Sequence, residues 1–142
     1  MPTNEKDEET FLLLANIAQE LGDDNSAIKN LNKALSINPY FFKAYYNLGC
    51  IFASKSSYLL AINNFELAIS HNKNFASAYY NLAFCQMKLK NYTAAKKNLI
   101  KAMELNPKNK DYYYNLALCY KELHKERQAK KILDVYNQLA NN

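Results

Sequence analysis

The sequence predicts an all-α protein made of four tandem helix pairs, and three observations predict it. Glycine and proline number only 2 and 3 in 142 residues, where average usage gives about ten and seven. The segments Ala44-Tyr45-Tyr46-Asn47-Leu48, Ala78-Tyr79-Tyr80-Asn81-Leu82 and Tyr112-Tyr113-Tyr114-Asn115-Leu116 recur every 34 residues. Within each period, apolar residues fall on two successive helical faces. Sandwiches and barrels need a turn every 8 to 12 residues, and nucleotide folds need glycine loops at strand ends, so this composition excludes both. With 49% hydrophobic and 22% charged residues, the chain has a globular composition. Catalytic equipment is thin: His71 and His124 are far apart in sequence and no glycine loop could hold a phosphate. The expectation is a protein with no enzymatic activity, no cofactor and no metal.

In the first helix of a pair, Tyr45, Leu48, Gly49 and Phe52 recur at spacings of 3 and 4; in the second, Ala61, Phe65, Ala68 and Ile69 do the same. A small residue follows each first-helix leucine, at Ala15, Gly49, Ala83 and Ala117. Ala27, Ala61, Ala95 and Ala129 form a second series, and the large apolar Leu31, Phe65, Leu99 and Leu133 a third. Small residues let a neighbouring helix bring its bulky side chains into contact, so small and large positions must stay in register. Turns within pairs are marked by Gly22 to Asn25, Ser54 to Ser57, Lys90-Asn91 and His124-Lys125. Turns between pairs are marked by Asn38-Pro39, Asn72 to Asn74 and Asn106-Pro107.

These residues resemble the tetratricopeptide repeat, a 34-residue pattern carried here by Tyr45, Leu48, Gly49, Phe52, Ala61, Phe65 and Ala68. With Glu8, Phe42, Ala76 and Lys110 as first residues, the repeats run 8–41, 42–75, 76–109 and 110–142 in one domain, after an N-terminal extension of residues 1–7. The resemblance implies an α-solenoid, a right-handed superhelix of stacked helix pairs whose first helices line the concave surface. Departures are local: Ala18 and Gln86 stand in place of Tyr, Lys73 in place of Pro, and Tyr136 in place of Ala. The fourth copy also has Asn137 where the others have Leu35, Ile69 and Met103, as suits an array end. A monomer is expected, with self-association through Ile132, Val135 and Leu139 as the alternative.

By the same resemblance, the second, fifth, sixth, ninth, twelfth and thirteenth positions of each repeat face a groove. Partner-binding candidates there are Asn16, Lys43, Tyr46, Asn47, Tyr80, Asn81, Phe84, Lys88, Tyr114, Asn115 and Lys121. A carboxamide both donates and accepts, so Asn47, Asn81 and Asn115 could hold the main chain of an extended peptide whatever its side chains. The tyrosines beside them add apolar area and a hydroxyl. Similar asparagine ladders occur in the peptide-binding repeats of the O-linked N-acetylglucosamine transferases. Against this stands composition: 20 of the 142 residues are Asn, and three at one repeat position is compatible with chance.

Some members of the family bind acidic chaperone tails through a cationic two-carboxylate clamp. The corresponding positions here are Leu12, Asn16, Asn47, Ser77 and Asn81, or Tyr46, Cys50, Asn81, Asp111 and Asn115, and neither set has a cation. Chaperone C-terminal tails are therefore disfavoured as partners. Residues 1–71 carry 5 basic and 8 acidic groups, a balance of −3, whereas residues 72–142 carry 13 and 5, a balance of +8. The basic half includes Lys96, Lys97, Lys101, Lys125, Arg127, Lys130 and Lys131, but one arginine and no interleaved aromatic cluster disfavour nucleic acid. An acidic protein is at least as good a candidate.

Cys50, Cys85 and Cys119 lack the spacing of a zinc site and read as buried apolar residues of a reducing compartment. The apolar stretch Phe11 to Ala18 follows Glu5-Lys6-Asp7-Glu8-Glu9, where a signal peptide would be basic. No run approaches the 18 or more apolar residues of a membrane span. A cytoplasmic location and no membrane partner are expected. The leading functional expectation is a protein- or peptide-binding adaptor or scaffold. The second is a repeat region of a larger multidomain enzyme or regulator, and the third a nucleic-acid surface.

Overall fold

A computed structural model describes residues 7–142; residues 1–6, most of the expected N-terminal extension, lie outside the described residues. The described residues contain eight helices and no strand: α1 (Glu8–Glu20), α2 (Asp24–Ile37), α3 (Phe42–Ser54), α4 (Tyr58–His71), α5 (Ala76–Lys88), α6 (Tyr92–Leu105), α7 (Lys110–Glu122) and α8 (Glu126–Ala140). They fall into two compact units, one ending at Asn72 and the other beginning at Lys73. Each holds two helix pairs, with α1 on α2 and α3 on α4 in the first, α5 on α6 and α7 on α8 in the second.

The turn inside each pair is built the same way four times. Gly22, Ser56, Lys90 and His124 have φ of 78°, 60°, 63° and 59°, the left-handed conformation. The amide after each one reaches back to the last turn: Asp23 N to Ala18 O at 2.8 Å, Ser57 N to Phe52 O at 2.9 Å, Asn91 N to Gln86 O at 2.8 Å and Lys125 N to Tyr120 O at 2.8 Å. With Gly22 N donating to Gln19 O, and its equivalents likewise, this is the Schellman closure. The residue that completes it is also the N-cap of the following helix. The Asp23 and Asn91 side chains accept from Ser26 N and Ala94 N; Ser57 and Lys125 make no such bond.

Between pairs the chain is held from outside. Tyr45 OH donates to Pro39 O at 3.0 Å, Tyr79 OH to Lys73 O at 3.0 Å, and Tyr113 OH to Pro107 O at 2.8 Å. The acceptor is main chain, so Lys73 serves as well as proline.

The core of the first unit joins Leu12 and Ala15 of α1, Ala27, Leu31 and Ala34 of α2, and Ala44, Leu48 and Ile51 of α3. In the second, Leu116 and Cys119 of α7 pack on Ala83, Ala95 and Leu99. Burying each large side chain is worth roughly 1.5–3 kcal/mol, and the fully buried alanines between them set how closely the helices approach. Phe65, where three copies have Leu, is fully buried against Gly49: a Cβ at Gly49 would lie 2.6 Å from Phe65 Cε1. In α8 no residue is buried, and Leu133 is 40% exposed where Leu31 and Leu99 are 0%.

Candidate functional site

The side chains singled out in the sequence all lie on first helices: Asn16 on α1; Lys43, Tyr46 and Asn47 on α3; Tyr80, Asn81, Phe84 and Lys88 on α5; Tyr114, Asn115 and Lys121 on α7. None is buried. In the first unit Asn47 Nδ2 donates to Asn16 Oδ1 at 2.9 Å. Lys43 Nζ stands 3.7 Å from Glu9 Oε1, with both side chains half exposed or more, a pair worth about 0–1 kcal/mol. Tyr46 leans on the Phe65 ring, centroids 5.8 Å apart.

In the second unit Asn115 Nδ2 donates both to Tyr80 OH and to Asp111 O, each at 3.0 Å. That uses both N–H groups of the carboxamide and leaves Asn115 to meet a ligand through its acceptor oxygen. The ladder expected to both donate and accept along a peptide is thus partly engaged with the protein itself. Burial, followed by the charge of Asp111, raises the pKa of Tyr80, while the bond from Asn115 opposes the shift. The hydroxyl therefore stays neutral and keeps its role as acceptor.

Phe84, 40% exposed, lies on the rim of a cavity of about 320 Å³ shared with Met87, Lys88, Tyr92, Asn115, Leu118 and Glu122. Lys88 Nζ sits 5.3 Å from the Phe84 ring centroid, in cation–π range. The cavity thus has an apolar floor between an acceptor, a cation and a carboxylate. Of its lining, Met87, Tyr92, Leu118 and Glu122 were not singled out as binding residues, although the twelfth, ninth and thirteenth repeat positions of Met87, Leu118 and Glu122 could have revealed those three. Tyr114 and Lys121 line a separate cavity of about 420 Å³ between α7 and α8.

A second asparagine series went unread in the sequence. Asn30, Asn64 and Asn98 of the second helices each donate to the carbonyl four residues earlier, on Ser26, Leu60 and Ala94. Asn98 also donates to Gln86 Oε1 at 2.8 Å, giving the glutamine that replaces tyrosine a partner. These asparagines belong to the packing. Of the cysteines, Cys85 and Cys119 are buried as expected, but Cys50 is only half-buried; none of the three is in a disulfide. Burial pushes the Cys119 thiol up to about 11, with Glu122 adding and Lys96 opposing. Among the described residues no three His, Cys, Asp or Glu gather as a metal site would need, and no helix is long and apolar enough to cross a membrane.

A family model described as the tetratricopeptide repeat protein 21 C-terminal ARM domain matches residues 2–97, and a tetratricopeptide repeat model matches residues 88–142. The chain belongs to the tetratricopeptide repeat family. No curated protein sequence matches it. A crystal structure of MamA superposes with a TM-score of 0.89 at 25% identity, covering 94% of this chain and 78% of that one. MamA 41-end from Desulfovibrio magneticus RS-1 gives 0.85 at 22% identity, covering 94% and 76%. At the latter identity the likeness concerns the fold. The all-helical tetratricopeptide architecture expected from the sequence is thereby shown, and membership of the family supports a role as a protein–protein interaction scaffold of non-enzymatic type.

Proposed function

We propose that this tetratricopeptide chain binds an extended peptide segment of a protein partner along its first helices, in an adaptor or scaffold role. The observation that carries the reading is Phe84, an aromatic ring open to solvent at a cavity that Asn115, Lys88 and Glu122 flank. An apolar side chain of the peptide would enter beside Phe84 and Leu118, while a main-chain N–H donates to the Asn115 oxygen. In this reading residues 8–142 act as one domain of four repeats. Asn16, Lys43, Tyr46, Asn47, Asn81, Tyr114 and Lys121 supply further contacts, and the protein works in the cytoplasm.

The test is peptide selection from a random display library, followed by calorimetry on the selected sequences. Phe84→Ala should weaken binding at least tenfold, as loss of a well-packed aromatic anchor does. Lys101→Glu, on α6, should leave it unchanged. Selected peptides that bind Phe84→Ala and the parent chain equally would rule out this cavity as the binding site.

A further inference from the structure

In the first unit, Ala44, Leu48 and Ile51 of α3 fill a seat formed by α1 and α2. In the second, Leu116 and Cys119 of α7 fill the seat formed by Ala83, Ala95 and Leu99 of α5 and α6. One period further on, those three seat residues become Ala117, Ala129 and Leu133, and all three line the cavity of about 420 Å³ between α7 and α8. The last pair therefore carries the same seat, and nothing among the described residues fills it. The first pair carries the matching ridge. Stepping back one period from Leu48 and Ile51 gives Leu14 and Ile17 on α1, followed one turn later by Leu21. Ile17 is 45% exposed and Leu21 79%, whereas Ile51 and Cys119 are at 1% and 0%.

We infer that a second copy of this chain fills the vacant seat, its α1 ridge packing head-to-tail on α7 and α8. A second copy is the occupant that charge favours. The unit bearing the ridge has a balance of −3 and the unit bearing the seat +8, and of the charged residues lining the seat itself two, Lys121 and Lys130, are basic and one, Glu126, is acidic. Opposite charges of this size steer two copies into head-to-tail encounter and oppose head-to-head or tail-to-tail pairing. A heterologous contact of this kind leaves a free ridge and a free seat on every complex, so growth continues until a ring closes. The monomer expected from Asn137 does not limit this contact, since Asn137 is exposed and is not among the residues lining the seat. The repeat register also fixes one unfavourable pair. The internal Lys43–Glu9 bridge becomes Glu9 of the incoming copy beside Asp111.

The test is sedimentation velocity over a concentration series. The weight-average mass should rise with concentration and fall as salt is raised. Ile17→Glu with Leu21→Glu (ridge blocked) and Leu133→Glu (seat blocked) should each give the mass of a single chain, with unchanged helicity. Mixed, the two variants should form a one-to-one complex and nothing larger, because only one intact ridge and one intact seat remain. Lys130→Glu, which leaves the apolar seat alone, should weaken association several-fold, and Asp111→Lys should tighten it several-fold. A single-chain mass at all concentrations, self-association of either blocked variant, a mixture that does not combine, or an Asp111→Lys variant no tighter than the parent would each overturn the inference.

Discussion

Gly49 and Phe65 are matched in size. The ring of Phe65 occupies the space a Cβ on Gly49 would need, at 2.6 Å from Cε1 and 2.7 Å from Cδ1. The other copies make the opposite choice at both places: Ala15 with Leu31, Ala83 with Leu99, Ala117 with Leu133. Volume is conserved across the pair although neither residue is.

Gly49→Ala should therefore destabilise the protein by about 1–3 kcal/mol through overpacking, despite the higher helix propensity of alanine. Phe65→Leu in the same chain should recover most of the loss and restore the pairing of the other copies. Urea unfolding of the two single variants and the double variant measures the coupling; strictly additive effects would contradict the size match.

The left-handed turn residues offer a second test. Gly22→Ala should cost roughly 1–2 kcal/mol, the penalty of a side chain in that conformation. Lys90→Gly and His124→Gly should each stabilise by a smaller amount, since glycine also loosens the unfolded chain. Urea midpoints with unchanged slopes are the readout.

Acid should weaken the helix starts. Bonds from Ser26 lower the pKa of Asp23, and bonds from Thr10 that of Asp7, below the ordinary 3.8. A lowered folded pKa means each carboxylate's contribution is fully present above 3.8 and is lost as pH falls through the folded value. Asp23→Asn keeps an acceptor at the cap and should flatten this part of the dependence, measured by urea unfolding between pH 6 and pH 2.

The last helix should be the least protected. At concentrations where the chain sediments as a single copy, amides from Gln128 to Leu139 should exchange faster than those from Ala95 to Glu104, because α8 buries no residue while α6 buries Ala95, Leu99 and Ala102. Lys125→Asp would supply the missing side-chain cap and should add about 0.5–2 kcal/mol. Hydrogen exchange by mass spectrometry follows both.

Much of the fold could be read from spacing alone, because the seat residues are alanines and leucines whose sizes are visible in the sequence. Turns were visible at Gly22 and invisible in kind at Ser56, Lys90 and His124, which adopt a glycine-like conformation without being glycine. The candidate residues were found through their repeat positions, though Met87, Leu118 and Glu122 were passed over at theirs, and the partners of the candidates were not legible at all. Nothing in the sequence tells that Asn47 reaches Asn16 or that Asn115 reaches Tyr80, since those bonds depend on how neighbouring helices cross. Asparagine is also ambiguous by type: at 30, 64 and 98 it serves its own helix, and only the geometry separates that series from the one at 47, 81 and 115.

Because a single residue both ends one helix and begins the next, the four inner turns have no slack. An insertion or deletion there would rotate the following helix by about 100° about its axis and turn its alanine stripe away from its mate. Between pairs, the tyrosine hydroxyl grips a carbonyl and is indifferent to the residue that bears it, as Pro39, Lys73 and Pro107 illustrate. Lineages descended from this array should therefore change residue type freely at 39, 73 and 107 while keeping the length of the four inner turns.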